Sequence, residues 1–365
     1  MKRYQVKKWL LFICGTFLFV FGRQVYAEEV AFTVKPELPT NQVSASSGFY
    51  DLKVVPGTEQ ELILMVYNKS DQGITTKVEI NPAATSESGG FIYTLKNTDR
   101  DESMKVSITD IASTVDTISV PAKGEGKVAI KLRLPKEPFA GIILGGIRVK
   151  SSPAEEQQKK QPNEGFSVSN TFAYTIAIRL QEQDELPSSD LVLKSVQASQ
   201  VVGRNSVKAT LANPTPTIID KVSYHGQVMK KGQETVLHEN KVEGYRVAPN
   251  TRFDFPVSWD NQEFEAGTYL YKLKAKSEET GDEWNLEQEF SISAKEAKNL
   301  NKRAIDLEKN YLPYIIMAGV VLVLSVISLL ICLVVLRKKQ GQQKKSKRVI
   351  DKRKKGGHGH RRKRH

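Results

Sequence analysis

RFDFPVSW, residues Arg252 to Trp259, sets Phe253, Phe255, Val257 and Trp259 in alternation with Asp254, Pro256 and Ser258. Successive side chains of a strand point to opposite faces, so this period of two describes a strand with one face in a core and one in water. The same reading applies to EGKVAIKLRLP (Glu125 to Pro135), where Val128, Ile130, Leu132 and Leu134 share one side and Lys127, Lys131 and Arg133 the other. YLYKLKAK (Tyr269 to Lys276) repeats it with Tyr269, Tyr271, Leu273 and Ala275. Further strands read at ELILMVYN, TTKVEI, FIYTL, GIILGGIRVK, TFAYTIAIRL, DLVLKSV, NSVKATLAN, DKVSYHGQVMK and EQEFSIS. Turn residues separate them every ~8 to 12 positions, the spacing of antiparallel sandwiches. Helical periodicity starts only after Ala294.

Two polar stretches divide this region. Ser151 to Gly165 (SSPAEEQQKKQPNEG) joins the strands Ile142–Lys150 and Phe166–Gln181 as an exposed loop, and Gln181 to Asp190 (QEQDELPSSD) is an acidic linker holding Pro187. The fold expected is all-β: two immunoglobulin-like antiparallel sandwiches, residues 28–182 and 188–293. They share a grammar of strand, Asn turn, strand, with Asn68 and Asn213 at corresponding strand ends. Asn suits that place because its side chain bonds the backbone beyond it.

The ends differ from the body. Of 365 residues, Lys and Arg number 54 and Asp and Glu 41, a net charge of +13. Residues 337–365 hold fifteen Lys/Arg and one acid, and residues 1–27 hold five Lys/Arg and no acid, so the remainder is about −6. A mildly acidic body does not track a phosphate backbone, and the tail has no aromatics to stack on bases, so no nucleic-acid partner is expected. Residues 1–27 read as a signal peptide: Lys2, Arg3, Lys7 and Lys8, then the apolar run Trp9 to Phe21, then Val25-Tyr26-Ala27 before a cleavage site between Ala27 and Glu28. An uncleaved anchor is the rival reading. Phe12 and Ile13 are too bulky for a lipobox at Cys14.

Tyr314 to Leu336 carries no charge over 23 residues, enough helix to cross a bilayer; a transmembrane helix is expected over 313–336. Arg337, Lys338 and Lys339 follow and are expected to meet lipid headgroups on the cytoplasmic side, with residues 337–365 as a basic cytoplasmic tail. Orientation is then single-pass type I, with the modules outside. Before the span, Ala297, Leu300, Ala304, Leu307 and Tyr311 recur at intervals of 3 and 4, which predicts a stalk helix over 294–312. Its seam is too short for an independent coiled coil, so a monomer is expected, the helix standing as a spacer or lying on the second sandwich, with dimerisation through the stripe as the alternative. Leu312-Pro313-Tyr314 lacks the Thr-Gly of a sortase signal. The two cysteines, Cys14 and Cys332, both lie in the apolar end segments, and a cysteine-free exported β body fits a Gram-positive surface.

FTVKPELPTNQ (from Phe32), GFYDLKVVPGTEQELILMVYN (Gly48 to Asn68), PFAGIILGGIRV (Pro138 to Val149), LANPTPTIID (Leu211 to Asp220), YRVAPNTRFDFPVSW (Tyr245 to Trp259), AGTYLYKLKA (Ala266 to Ala275) and DEWNLEQEFSI (Asp282 to Ile292) together resemble the WxL-interacting proteins of Gram-positive bacteria. The resemblance covers nearly all of the mature chain in order. It implies a peptidoglycan-binding domain, then a host-binding domain, then a single span and a short basic tail, with the domain boundary drawn within about 150–161. It implies a non-enzymatic cell-surface scaffold whose partners are WxL-domain proteins, peptidoglycan and an extracellular host protein. The residues that bind these partners are not implied.

No cofactor, metal or catalytic set is read. His225 and His238, the two histidines of the exported body, lie in no ligand spacing and read as strand residues. DRDE (Asp99 to Glu102) lacks the Asx and Gly spacing of a calcium loop and reads as a solvated acidic turn. His358 and His360 among the tail cations make a poor metal site. The alternative function is a glycan-binding or glycan-sensing module that uses exposed Trp259, Trp284 and Tyr245. Clustering of the three on one open face would favour it, and burial would favour the scaffold.

Overall fold

The computed structural model describes residues 32–44, 46–94, 100–152, 172–308, 314–334 and 338. The signal segment with Ala27 and Glu28, the centre of the polar loop, Pro313, Arg337, Lys339 and the rest of the tail lie outside them. Lys338 is described and exposed.

The first module holds β1 (Phe32–Glu37), β2 (Tyr50–Lys53), β3 (Glu59–Asn68), β4 (Ile74–Pro82), β5 (Ala84–Thr85), β6 (Phe91–Ile92), a single helical turn α1 (Ile108–Ile111), β7 (Ala112–Ser113), β8 (Thr117–Val120), β9 (Glu125–Arg133), β10 (Ile142–Ser152) and β11 (Ala173–Gln181). The second holds β12 (Val192–Val201), β13 (Arg204–Asn213), β14 (Ile219–Lys230), β15 (Val236–Val247), β16 (Thr251–Ser258), β17 (Gly267–Ser277), β18 (Glu283–Ile292) and helix α2 (Ala294–Arg303). A separate helix, α3 (Tyr314–Val334), is long and apolar enough to cross a membrane.

Sheet orders are β1-β3-β9-β7 and β2-β11-β10-β4-β8 in the first module, and β12-β13-β16 and β15-β14-β17-β18 in the second. The second module thus repeats the first strand for strand, with β12, β13 and β16 standing for β1, β3 and β9, and β18, β17, β14 and β15 for β11, β10, β4 and β8. The first adds β2 and β7 to these sheets and carries the separate β5–β6 pair. By this correspondence β11 is the seventh strand of the first sandwich. It pairs antiparallel with β10 from Ile142↔Gln181 to Lys150↔Ala173 and parallel with β2 from Ile178↔Tyr50 to Gln181↔Lys53.

The repeated grammar has a physical basis at the two asparagines. Where the chain leaves β3 for the opposite sheet, buried Asn68 donates to the carbonyls of Gln72 and Pro121 and accepts from the Ser70 N–H and hydroxyl. Where it leaves β13, buried Asn213 donates to the carbonyls of Thr217 and Ala248 and accepts from the Thr215 N–H and hydroxyl. Each amide satisfies a crossing that no ladder can. Asn213→Asp will keep the acceptor and lose both donors, leaving the Thr217 carbonyl without this partner and the Ala248 carbonyl with the Thr251 hydroxyl alone; about 2 kcal/mol of destabilisation is expected by urea unfolding, against ~0.5 kcal/mol for the surface change Asn299→Asp.

The alternating rows fill the cores. Val128, Ile130 and Leu132 of β9, and Phe253, Phe255 and Val257 of β16, are buried, as are Tyr269, Tyr271, Leu273 and Ala275 of β17. Turn α1 is capped by Ser107 and Asp110 in a capping box, and four residues are too few for a sequence period to show. It presses Ile108 onto β10 at Gly145, where any Cβ would stand 2.3 Å from the Ile108 methyl.

The stalk helix is shorter than its stripe. Helix α2 stops at Arg303, and Ala304 is extended with ψ 139°. Ala297 and Leu300 are buried in the second sandwich's own core. The first part of the apolar stripe is therefore a lid on one end of that sandwich: of the two forms expected the helix lies on the second sandwich rather than standing as a spacer, and it ends at Arg303 instead of running on over 304–308, while residues 309–312 of the expected helix lie outside the described residues. Burying two apolar residues there outweighs the thin gain of prolonging an exposed helix.

Candidate binding interface

The two sandwiches meet along a built seam. Strands β5 and β6 carry a hairpin from the first module onto the second. Thr251 Oγ1 donates to the Ala248 carbonyl at 2.9 Å, so its contact with Thr85 Oγ1 at 2.8 Å is donated by Thr85, which in turn accepts the Ala248 N–H at 2.9 Å. This buried relay leaves no polar atom of the three groups unpaired. Around it Ala83, Ile142, Leu144 and Ala248 form an apolar cluster, with Phe91, Tyr93, Leu186 and Ile218 against it. Burial pushes the Tyr93 hydroxyl up to about 12. The Ile142 N–H donates to the Pro216 carbonyl at 2.7 Å, and Tyr245 donates its hydroxyl proton to the Glu87 carbonyl at 3.0 Å. Arg246 lies 4.4 Å from the centre of the Phe91 ring. Lys208 bridges Glu87 at 2.7 Å and Asp254 at 3.3 Å, and these contacts, Glu87 first, hold its pKa above the usual lysine range. Beside the seam lies an open cleft of about 810 Å³, lined among others by Asp101, Glu102, Lys194, Arg252 and Asp254. Its charges are engaged within the protein: Lys194 reaches Glu102 at 3.0 Å, and Asp101 accepts from the Ser103 N–H and hydroxyl.

A second feature is the outer edge of β11. The Phe172 carbonyl accepts from Ser151 on β10, and the Gln181 carbonyl accepts from Val54 on the opposite side. Backbone groups alternate along a strand, so those of Ala173, Thr175 and Ala177 point away from β10. Strand β2 reaches only residues 178–181, and among the described residues no strand pairs with that edge over 173–177. Phe172, Tyr174 and Ile176 beside it are only partly buried against the first core.

The aromatic residues of the glycan alternative do not assemble. Trp259 is 3% exposed and packs on Phe264, Tyr269 and His238. Tyr245 is held in the seam, and Trp284 is half-buried on β18. His225 is half-buried with Nε2 2.8 Å from Glu239, whereas His238 is buried on β15 with Nδ1 2.7 Å from Asp260. Within DRDE, Asp99 lies outside the described residues, Arg100 binds Asp110, Asp101 is buried and Glu102 is exposed, so the solvated turn expected holds for Glu102 and not for Asp101. Among the described residues no group of three or more metal-ligating side chains converges.

Solved structures with likeness to the chain include several chaperones. The Escherichia coli chaperone DraB matches at 14% identity over 72% of this chain and 97% of its own, with a TM-score of 0.28. The Pseudomonas aeruginosa CupB2 chaperone matches at 16% identity over 65% and 95%, TM-score 0.27. The Acinetobacter baumannii CsuC–CsuE pre-assembly complex matches at 10% over 62% and 90%, TM-score 0.30. At these scores nothing about partners follows. No curated protein sequence matches. Two family models do match, in series: the peptidoglycan binding domain of WxL Interacting Protein over residues 32–151 and its host binding domain over 163–302. The sequence match assigns β11 to the host-binding part, although its hydrogen bonds run to β10 and β2 of the first sandwich. Carrying both domains in the family's order, the chain belongs to the WxL-interacting protein family.

Proposed function

We propose that this protein is a membrane-anchored, non-enzymatic scaffold of the Gram-positive cell surface. It retains WxL-domain proteins at the peptidoglycan and contacts extracellular or host ligands. The observation that carries the reading is the pair of binding-domain matches in series on two sandwiches joined by a buried seam. Both matched domains are binding domains, which supports a role without catalysis. Helix α3 supports a single span; on this reading Arg337, Lys338 and Lys339, which follow Leu336, lie on the cytoplasmic side, and the chain is monomeric. On this reading the signal is cleaved between Ala27 and Glu28, and residues 28–182 bind wall and WxL partners while 188–293 face host ligands.

The open edge of β11 is the place in the first sandwich where an extended segment of a WxL partner would add as a strand. Thr175→Pro removes an outward N–H and spares the β10 ladder. In pull-downs from cell-wall extract with the full chain, this variant is expected to lose WxL-protein capture at least ~10-fold, the value of roughly one to two backbone hydrogen bonds plus register. Undiminished capture would remove this edge from the proposal. Truncation before Tyr314 should release the body into the medium; a truncated body still held by protoplasts would refute the anchoring.

A further inference from the structure

The lysines of the second sandwich are mostly paired: Lys221 with Glu279, Lys230 with Glu265, Lys231 with Glu289 and Lys276 with Glu283. Helix α2 departs from this. Lys295, Lys298, Lys302 and Arg303 are all exposed, and no carboxylate pairs with them among the described residues. The helix's single acid, Glu296, faces the Ser293 N–H in the capping box. A net charge of +3 on ten residues thus sits on a body that is otherwise acidic. Two open grooves flank the helix. One, about 590 Å³, lies against β12 and is lined by Lys295, Asn299 and Arg303; the other, about 520 Å³, lies against Phe264 and Ala266 and is lined by Lys298 and Lys302.

The neighbouring hairpin tip is apolar and strained. Val202, between β12 and β13, has φ 48° and is 87% exposed. A β-branched side chain disfavours that backbone region, and a turn selected for folding alone would hold Asn or Gly there. Ile305, 50% exposed, donates its N–H to the Gly203 carbonyl at 2.9 Å, two residues beyond Arg303. Eight residues of chain (306–313) separate Ile305 from Tyr314, a tether no longer than ~32 Å.

We propose that this end of the second sandwich docks on anionic phospholipid headgroups of the outer leaflet. Lys298, Lys302 and Arg303 meet the phosphates, and Val202 and Ile305 enter the interface. The proposal rests on the reading of α3 as a span. Cations with apolar neighbours match a surface that is negative outside and apolar beneath, and each cation near such a surface raises partitioning roughly fivefold. Docking would hold the host-binding module at a fixed height and tilt.

The test uses the full chain with Cys14 and Cys332 replaced by serine, carrying a single labelled cysteine at Val202→Cys or, as reference, at Val236→Cys. The protein is reconstituted in phosphatidylcholine vesicles with or without phosphatidylglycerol, and quenching by headgroup-level nitroxide lipid is read. The expected result is quenching at 202 but not 236, at least ~5-fold stronger with phosphatidylglycerol and abolished by Lys298→Glu/Lys302→Glu/Arg303→Glu. Protein retained through an alkaline wash but unquenched at 202 in anionic vesicles overturns the docking while sparing the span. Protein stripped by the wash defeats the span reading and the docking with it. If the triple variant loses binding to soluble poly(glycerol phosphate) and leaves quenching unchanged, the patch serves an anionic polymer and the lipid proposal falls.

Discussion

Gly89→Ala will separate the two sandwiches. Gly89 has φ +76°, and a Cβ there would lie 2.1 to 2.4 Å from three ring atoms of Tyr245. The ring cannot retreat, because it packs edge-on against Tyr224 at 5.5 Å and Phe255 at 6.4 Å. Two costs combine: left-handed backbone strain of about 1 kcal/mol and a clash of about 2 kcal/mol or more. Relief comes by lifting the β5–β6 hairpin, which breaks the Tyr245 bond to Glu87 and exposes the Thr85–Thr251 relay. The expected outcome is a larger radius of gyration by small-angle scattering and faster proteolysis between residues 182 and 190, with each sandwich still folded. Gly232→Ala is the control. Its φ is +78° with nothing within 4 Å of the new Cβ, so it carries the strain without the clash. Equal losses at both sites would mean that the seam contributes nothing beyond backbone strain.

The seam itself could not be read from sequence. Thr85, Ala83, Ala248 and Thr251 are small residues next to turns, and nothing in their spacing says that they meet across 166 positions. The strands with alternating faces were legible because burial on one side writes a period of two into the chain, as at Phe253 to Trp259. Strand β15 was not. Of VLHENKVEGYRV only His238 and Val247 are buried, since it is an edge strand with bulges opposite β14. The same polarity concealed His238, whose neighbours Glu239 and Asn240 suggest solvent while its own ring packs tilted by 35° against Trp259, with centroids 4.1 Å apart. The stripe Ala297, Leu300, Ala304 was legible as an apolar face but not as to its partner, because periodicity gives a face and never what covers it. The outer edge of β11 was beyond reach for a related reason: pairing to β2 is parallel and non-local, and where β2 ends is set by the tertiary fold rather than by any local pattern.

The largest consequence of that stripe is that α2 completes the second sandwich, so Asn301→Ala should unfold its end. The Asn301 carbonyl oxygen accepts from Asn205 at 3.0 Å and from the Phe264 N–H at 2.8 Å, and its amide donates to the Phe264 carbonyl at 3.0 Å. Asn205 is fully buried, and Phe264 is 3% exposed. Alanine at 301 therefore leaves the Phe264 N–H and carbonyl unpaired in the interior, while the Asn205 amide keeps only the Gln262 carbonyl. Two orphaned backbone groups cost about 1–3 kcal/mol each, so a loss of about 3 kcal/mol is expected by urea unfolding. Leu300→Ala should cost about as much through its cavity, and Lys302→Ala, exposed on the same helix, less than ~0.5 kcal/mol. Amide exchange separates two ways of losing that stability. If α2 is an integral lid, Asn301→Ala will speed exchange in β12 and in the Gln262–Phe264 turn together with the helix, because Gln200 also donates to the Leu300 carbonyl at 2.8 Å. Faster exchange confined to residues 294–303 would instead describe a helix that merely rests on the sandwich. In the integral case a chain cut at Ser293 is a damaged host-binding module, and Leu300, committed to its own core, is closed to any dimer seam along the stripe.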